Sequence, residues 1–369
     1  MKKLILLQAV MMMLISCSDD FLNDGLSNTE LGDACEYSNE ILPPAGFEVD
    51  TIGEIDFNGR VQSFQFIDHK VGYALGSNNV GGYVEVFKTT DGGETWTDLA
   101  IGIDQNPNSM VFRDENFGII TVHDVTGCPS ACQNKTVLLK TENGGQDWQE
   151  IETTNLNGVL YHPQFDENGN LYANLFQIDQ PSVLVKSINN GTTWDTLFAA
   201  PELGFESITF SFELIDDQLY IPTKDGDLVI INTEGELLKT LEIGNTSIWD
   251  VAVIDENNLV VALSDEVIKS IDGGDTWETI YTQSARIIGF ESPAKGLALL
   301  NKSVCNTTDV YQVNDVFAST NNGGLNWTEA ENTTTNLRIN YADSQEMGEN
   351  AWYTMINNYL IQIYEVQFK

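Results

Sequence analysis

Three observations predict that this chain is an all-β protein, a seven-bladed β-propeller of four-stranded antiparallel blades. A short hairpin motif occurs six times, a fainter motif of two apolar strands around an acidic turn occurs seven times, and both chain ends read as strands. A single repeat of this size cannot bury its own apolar face, so we expect stacked copies that share one core. We therefore assign residues 47–369 to one domain, although the segment is long.

The more regular motif is a hairpin with the order Ser or Thr, then Asp or Asn, then Gly, then Trp. Intact copies occupy 88–96, 141–148, 187–194, 270–277 and 320–327, and a sixth at 232–237 has lost the tryptophan. The acid or amide can bond turn amides, the glycine allows a positive φ, and the ring buries against a neighbouring sheet. The residues given these structural roles are Asp91, Trp96, Asn143, Trp148, Asn189, Trp194, Asp272, Trp277, Asn322 and Trp327. The pattern resembles the Asp-box, or bacterial neuraminidase (BNR) repeat, and we call these segments the box hairpins.

The fainter motif sets the expected number of blades. Its acidic turns lie 36 to 52 residues apart, at Asp68, Asp114, Asp166, Asp216, Asp255, Glu291 and Asp343. That spacing accommodates four short strands with their turns. Seven such motifs against six box hairpins predict that the last blade is completed by the other chain end. We expect the N-terminal segment 47–52 to pair with the C-terminal run 359–366, which would remove both sheet edges.

The first 46 residues predict export and anchoring. Lys2 and Lys3 precede an uncharged apolar run over 4–15, which has the length of a signal-peptide core and is too short for a membrane span. The residues up to Cys17 resemble the lipobox of bacterial lipoproteins, and Ser18, Asp19 and Asp20 after it resemble the acidic surface-display tag of Bacteroidetes lipoproteins. We expect a signal peptide at 1–16, a lipidated Cys17 and an acidic flexible tether at 17–46. This implies anchoring in the cell envelope, at the outer membrane and its surface; the alternative is an ordinary signal peptide.

Composition excludes several classes of function. The chain has 17 Lys and Arg against 55 Asp and Glu, a formal net charge of −38, so it would repel nucleic-acid phosphates. Aromatic residues make up 10% and charged residues 20%, which is inconsistent with a disordered chain. The histidines His69, His123 and His162 fall in separate predicted blades without a metal-binding motif, so we expect no metal and no cofactor.

Four cysteines remain beyond the lipid site. In an oxidising compartment they predict two disulfides, and we favour Cys128 with Cys132 and Cys35 with Cys305 among the three pairings that are possible.

Strand alternation divides the propeller into two faces. The acidic turns and the box hairpins share one end of the blades, which we call the hairpin face, and the other connections form the irregular face. The longest connections expected on the irregular face are 123–135 and 301–314. Because loops on a rigid frame often carry function, we expect binding there.

Alignment of the inner strands predicts an anion-binding patch at one mouth of the central channel. Equivalent positions hold Ser63, Ser109, Tyr161, Ser211, Asp250, Arg286 and Arg338, and Arg60 lies at the start of the first inner strand. Grouping Arg60, Arg286 and Arg338, with Tyr161 and Asp250 as companions, would favour a carboxylate or a phosphate. The alternative is that these arginines only offset nearby acids.

Segments 66–76, 88–96 and 337–343 resemble the photosystem II assembly-factor propeller family, over nearly all of 47–369. The resemblance implies a non-catalytic scaffold for partner proteins with an arginine patch, whose repeat Arg286 and Arg338 fit. We therefore expect a surface-anchored scaffold that binds an envelope protein or a glycan. The alternative is an exported, sialidase-like glycoside hydrolase that uses the arginine-lined mouth. Against it, the chain lacks the N-terminal arginine motif of those enzymes.

Overall fold

Every regular element that the structure describes is a β-strand. The computed structural model describes most of residues 47–368, and the longest stretches outside the described residues are 78–82, 125–134, 202–206, 306–310, 331–341 and 347–351. For the strand residues at 301–305, 311–315, 342–346, 352–356 and 360–368, and for most of 47–56, it gives the course of the backbone alone. The predicted signal peptide, the tether and Cys17 lie outside the described residues.

The strands form four-stranded antiparallel sheets. The first strand of the chain, β1 (Phe47–Asp56), belongs to the terminal sheet that is described below. Blade one contains β2 (Val61–Phe66), β3 (Gly72–Ser77), β4 (Val84–Thr89) and β5 (Thr97–Asp98), and blade two contains β6 (Asn106–Phe112), β7 (Gly118–Asp124), β8 (Lys135–Thr141) and β9 (Gln149–Ile151). Blade three contains β10 (Val159–Phe165), β11 (Leu171–Phe176), β12 (Val183–Ser187) and β13 (Asp195–Ala199). Blade four contains β14 (Glu213–Ile215), β15 (Gln218–Pro222), β16 (Asp227–Asn232) and β17 (Leu237–Glu242). Blade five contains β18 (Asp250–Val253), β19 (Leu259–Ala262), β20 (Val267–Ser270) and β21 (Glu278–Tyr281), and blade six contains β22 (Ala285–Phe290), β23 (Gly296–Cys305), β24 (Tyr311–Thr320) and β25 (Thr328–Glu329).

The remaining strands form the terminal sheet, which joins both chain ends. Its strands are β26 (Ala342–Glu346), β27 (Trp352–Ile356), β28 (Leu360–Phe368) and β1, in the order β1-β28-β27-β26. The expected pairing of the ends is observed, because β1 runs antiparallel to β28 from Phe47 opposite Phe368 to Asp56 opposite Leu360. On the inside of the ring, β26 contacts both β22 and β2.

The blade count needs a correction. The structure shows six regular blades, not seven, each made of four strands that are consecutive in sequence. The terminal sheet differs because its strands come from both ends of the chain. The register described between β27 and β28 is the single pair Met355 and Ile363, whereas the other hairpins within the blades pair over longer runs. The seven equivalent blades of the sequence prediction are therefore six blades and an irregular terminal sheet.

The connection expected at 301–314 is also different from its prediction. Strands β23 and β24 continue through it as one long hairpin, paired from Gly296 with Thr320 to Cys305 with Tyr311. Only 306–310 separate the two strands, and these residues lie outside the described ones. The antiparallel ladder satisfies the backbone groups of polar residues as well as those of apolar ones, so a polar sequence here does not end the strands.

The box hairpins connect the third and fourth strands of the regular blades. In the first, Asp91 Oδ1 accepts the amide of Thr95 at 2.9 Å and the hydroxyl of Thr89 at 2.7 Å, while Gly92 and Gly93 take φ values of 77° and 98°. The side chains of Asn143, Asn189, Asp272 and Asn322 accept the equivalent amide. In the shorter sixth copy Asn232 accepts the amide of Glu236 at 2.8 Å. The turn chemistry is therefore the same with or without the tryptophan.

A recurrent aromatic arrangement joins the two repeats inside a blade. The phenylalanine that ends the inner strand covers the glycine that begins the second strand, and the box tryptophan meets the phenylalanine edge-on. This occurs in Phe66, Gly72 and Trp96, in Phe112, Gly118 and Trp148, and in Phe290, Gly296 and Trp327, with ring centroids 6.0, 6.1 and 6.3 Å apart. A Cβ on Gly118 would lie 2.6 Å from the Phe112 ring, so this close approach requires glycine.

Lysines on the third strands connect neighbouring blades. The ammonium groups of Lys88, Lys186 and Lys269 donate to the carbonyls of Gly144, Thr233 and Gly323 in the hairpin of the next blade, at 3.4, 2.7 and 3.3 Å. Each also lies over an aromatic ring of Tyr73, Tyr172 or Phe290, 5.0 to 5.8 Å from its centre. Burial lowers the pKa of Lys88 and Lys269. These cations hold blades together and stay mostly away from solvent.

Candidate functional site

A cavity lined by described residues lies in the central channel, against the inner strands of blades one to three. Its volume is about 830 Å³, and it is lined by residues of β2, β6 and β10, by Arg113, Asp166 and Glu167 in the turns after β6 and β10, and by Glu213 at the start of β14. Ser63, Ser109 and Tyr161, three of the positions aligned in the sequence, are among the residues that line this cavity.

Amide side chains brace the wall of this cavity. Gln65 donates from Nε2 to the carbonyl of Phe112 at 2.9 Å, and its Oε1 accepts the Phe112 amide at 2.6 Å. Gln164 donates to the carbonyl of Phe212 at 2.8 Å, so the same device joins blades three and four. Because these amides bond the backbone of the next inner strand, they fix the spacing of the wall.

His162 is the most unusual residue of the cavity. It adopts a φ of 48°, a left-handed conformation that is uncommon outside glycine, at the point where the register between β10 and β11 shifts. Its side chain keeps a solvent-accessible surface in the cavity, but protein atoms crowd around the ring. The resulting desolvation of the charged form lowers the pKa of the imidazole. Near neutral pH it is therefore a neutral imidazole with one donor and one acceptor.

The sequence marks His162 only as a histidine without a metal-binding motif, and it does not predict the position of this residue in the cavity wall. The signal was its position before Pro163 within a strand pattern, since proline inside a strand commonly marks a bulge. Burial also raises the pKa of the adjacent Tyr161, which keeps the phenol protonated.

The predicted anion patch is only partly described. Asp250 begins β18, and its Oδ1 accepts the amide of Val251 at 3.0 Å. Arg286 lies in β22, where its backbone pairs with Leu299, and its side chain is outside the described residues. Arg60 and Arg338 lie outside them altogether. The structure places Tyr161 and Asp250 on inner strands of blades three and five, which are not neighbours.

The predicted disulfides also involve residues that are not described. Cys35, Cys128 and Cys132 lie outside the described residues, and Cys305 is placed by its backbone at the end of β23. Among the residues that are described, no group of three or more His, Cys, Asp or Glu could hold a metal ion. In the same part of the chain there is no helix with the length and apolar character needed to span a membrane.

Two exposed aromatic side chains mark the irregular face. Trp249 directly precedes β18 and is 56% exposed, while its amide donates to the carbonyl of Ala262 at 2.9 Å. Tyr83 directly precedes β4 and is 40% exposed. First and third strands both begin at the end opposite the box hairpins, so both aromatics lie on the irregular face. Sequence reasoning missed both, because exposure of a tryptophan depends on packing around it.

The fold is similar to that of several solved structures. The chain is similar to YCF48 bound to D1 peptide, with a TM-score of 0.62 and 14% identity over 89% of this chain and 99% of that one. It is also similar to an ulvan lyase of polysaccharide lyase family PL25, with a TM-score of 0.54 and 11% identity over 86% of this chain and 96% of that one. No protein-family model matches the sequence, and no curated protein matches it either. At these identities the likeness establishes the β-propeller fold.

Proposed function

We propose that this protein is a non-catalytic propeller that binds a partner protein through its irregular face. The observation that carries the proposal is Trp249, a large aromatic that is 56% exposed on that face while its backbone is held in the sheet. Exposed, positioned tryptophan and tyrosine are typical of binding hot spots. Tyr83 adds a second aromatic on the same face.

The similarity to YCF48 supports a protein as the partner. That propeller is bound to D1 peptide. The net charge of −38 also favours a neutral or basic partner over an anionic glycan. We extend the proposal to location: the features at 1–46 support an exported protein, anchored through lipid at Cys17 and held at the outer-membrane surface by the tether.

Site-directed photo-crosslinking tests the binding face. A photoreactive residue replaces Trp249 in the full chain, and the matched control carries it at Ile188, which is 74% exposed in a box hairpin on the opposite face. We expect position 249 to yield a discrete adduct in intact cells that position 188 does not, and Tyr83→Ala to reduce its amount. Equal labelling from both positions would contradict a binding face.

The hydrolase alternative keeps one structural support, which is Tyr161 in the wall of the central cavity. It predicts turnover of fluorogenic sialosides or other glycosides by the purified chain, abolished by Arg286→Ala and Arg338→Ala. Turnover that these two substitutions remove would replace the scaffold proposal. Absence of turnover together with a specific adduct at position 249 would support the scaffold.

A further inference from the structure

Blade four has an outer edge unlike those of the other regular blades. Its outer strand β17 is six residues long, whereas β5, β9, β13, β21 and β25 have two to five residues. As the last strand of its sheet, β17 presents one row of backbone groups outward. Proteins usually keep such edges short, because an open edge pairs with other strands.

The start of this strand is also apolar and exposed. Leu237 and Leu238 are 47% and 51% exposed, and the register shifts beside them, since Ile230 of β16 pairs with Lys239 and Ile231 pairs with Leu237. The five intact box hairpins continue from their tryptophan into a polar pair, such as Thr97 and Asp98 in blade one. In the sixth copy Asn232 accepts the amide of Glu236 as Asp91 accepts that of Thr95, so Leu237 takes the place of the lost tryptophan and Leu238 that of the first polar residue.

Charge around the edge selects among possible occupants. Glu236 precedes the strand and Glu242 ends it, and the Glu234 side chain in the adjoining turn is 76% exposed while it pairs with Lys186 at 3.1 Å. The cation within the strand, Lys239, is engaged by Asp275 at 2.6 Å. A second copy of β17 paired antiparallel about Lys239 would set Glu236 against Glu242, which is unfavourable. A basic strand would meet complementary charge.

We infer that the outer edge of β17 binds an extended, basic segment of a partner protein by β-strand addition. Main-chain hydrogen bonds would supply the pairing, and apolar side chains at alternate positions of the partner would cover Leu237 and Leu238. This edge is separate from the irregular face, so the two proposals stand or fall independently.

A synthetic peptide of alternating valine and lysine, measured against the full chain by fluorescence anisotropy, tests the inference. Controls are the same peptide with alternate amides N-methylated and a valine–glutamate peptide. The chain variants are the double substitution Leu237→Ser with Leu238→Ser and, as the control, Ile271→Ser, which removes an even more exposed apolar side chain, at 71%, from the hairpin of blade five. Hydrogen exchange then maps the bound peptide on the unmodified chain.

We expect the valine–lysine peptide to bind, the double variant to weaken binding about tenfold or more, and Ile271→Ser to leave it unchanged. N-methylation and the glutamate peptide should abolish binding, and amides of Leu237–Glu242 should become protected. The peptide controls use the unmodified chain, so they decide the question even if the double variant misfolds. Equal binding of the N-methylated peptide, protection elsewhere, or a dimer formed through β17 would overturn the inference.

Discussion

Replacing Trp194 and Trp327 by phenylalanine, one at a time, separates the two contributions of a box tryptophan. Both rings are buried, with 2% and 4% of their surface exposed, so each substitution removes a similar apolar area. They differ at the indole nitrogen. Trp194 Nε1 donates to the carbonyl of Gly191 at 2.9 Å, whereas Trp327 Nε1 is buried without a hydrogen-bond partner among the described residues.

The magnitudes follow from the fate of that N–H group. Trp194→Phe removes the hydrogen bond to the carbonyl of Gly191. This costs about 1 kcal/mol of stability in addition to the loss from the smaller buried apolar area. Trp327→Phe removes a buried donor that has no partner, which recovers roughly 1–3 kcal/mol and offsets the lost area. The free energy of unfolding should therefore fall further for Trp194→Phe than for Trp327→Phe, by about 2–4 kcal/mol.

Urea unfolding of the full chain, followed by circular dichroism, measures the difference. The comparison is made between the two variants and the parent protein, with the denaturant dependence required to be unchanged. If Trp327→Phe destabilises the fold as much as Trp194→Phe, the distinction drawn from the indole nitrogens is refuted.

Three further outcomes are expected. Hydrogen bonds from Thr95 hold the pKa of Asp91 at about 2, so its contribution to stability should be present above pH about 4 and lost as the pH falls towards 2. Acid unfolding of Asp91→Asn should show less of this loss than the parent protein. Gly235→Ala should destabilise by about 1 kcal/mol or more, since φ is 85° and its Cβ would lie 2.7 Å from a carbonyl oxygen, whereas Gly244→Ala has nothing within 4 Å and should be nearly neutral in thermal melts. Lys186→Met should lower the free energy of unfolding by about 1 kcal/mol, measured in urea, because its bond to the next blade is lost.

The sequence predicts the repeating parts of this fold because their determinants are local. The acid or amide of a box hairpin, its glycines and its tryptophan act within one turn, so the pattern can be recognised from neighbouring residues alone. The phenylalanine and glycine six residues apart, as in Phe112 and Gly118, reflect the same kind of short-range contact. The pairing of β1 with β28 is long-range, and repeat counting alone indicated it.

The parts that the sequence could not predict depend on tertiary context. The polar residues Lys302 and Ser303 read as a loop but lie in β23, since ladder bonds rather than apolar alternation hold that hairpin. The left-handed conformation of His162 coincides with a register shift between two strands. Trp249 is exposed because the described residues around it leave more than half of its surface uncovered. Pro163, the residue after His162, indicates a bulge without specifying this conformation, and no residue next to Trp249 in the sequence indicates its exposure.

The use of positive charge connects the fold with its proposed function. The chain has 17 Lys and Arg for 55 Asp and Glu, and Lys88, Lys186 and Lys269 all turn to carbonyls of a neighbouring blade. Cations used in this way stabilise the ring and contribute little positive potential at the surface. The surface field is therefore dominated by carboxylates, which steers basic partners towards the protein and raises their association rate at low salt. The lysines that join the blades are thus withdrawn from the surface, and the excess of carboxylates that remains there favours basic partners.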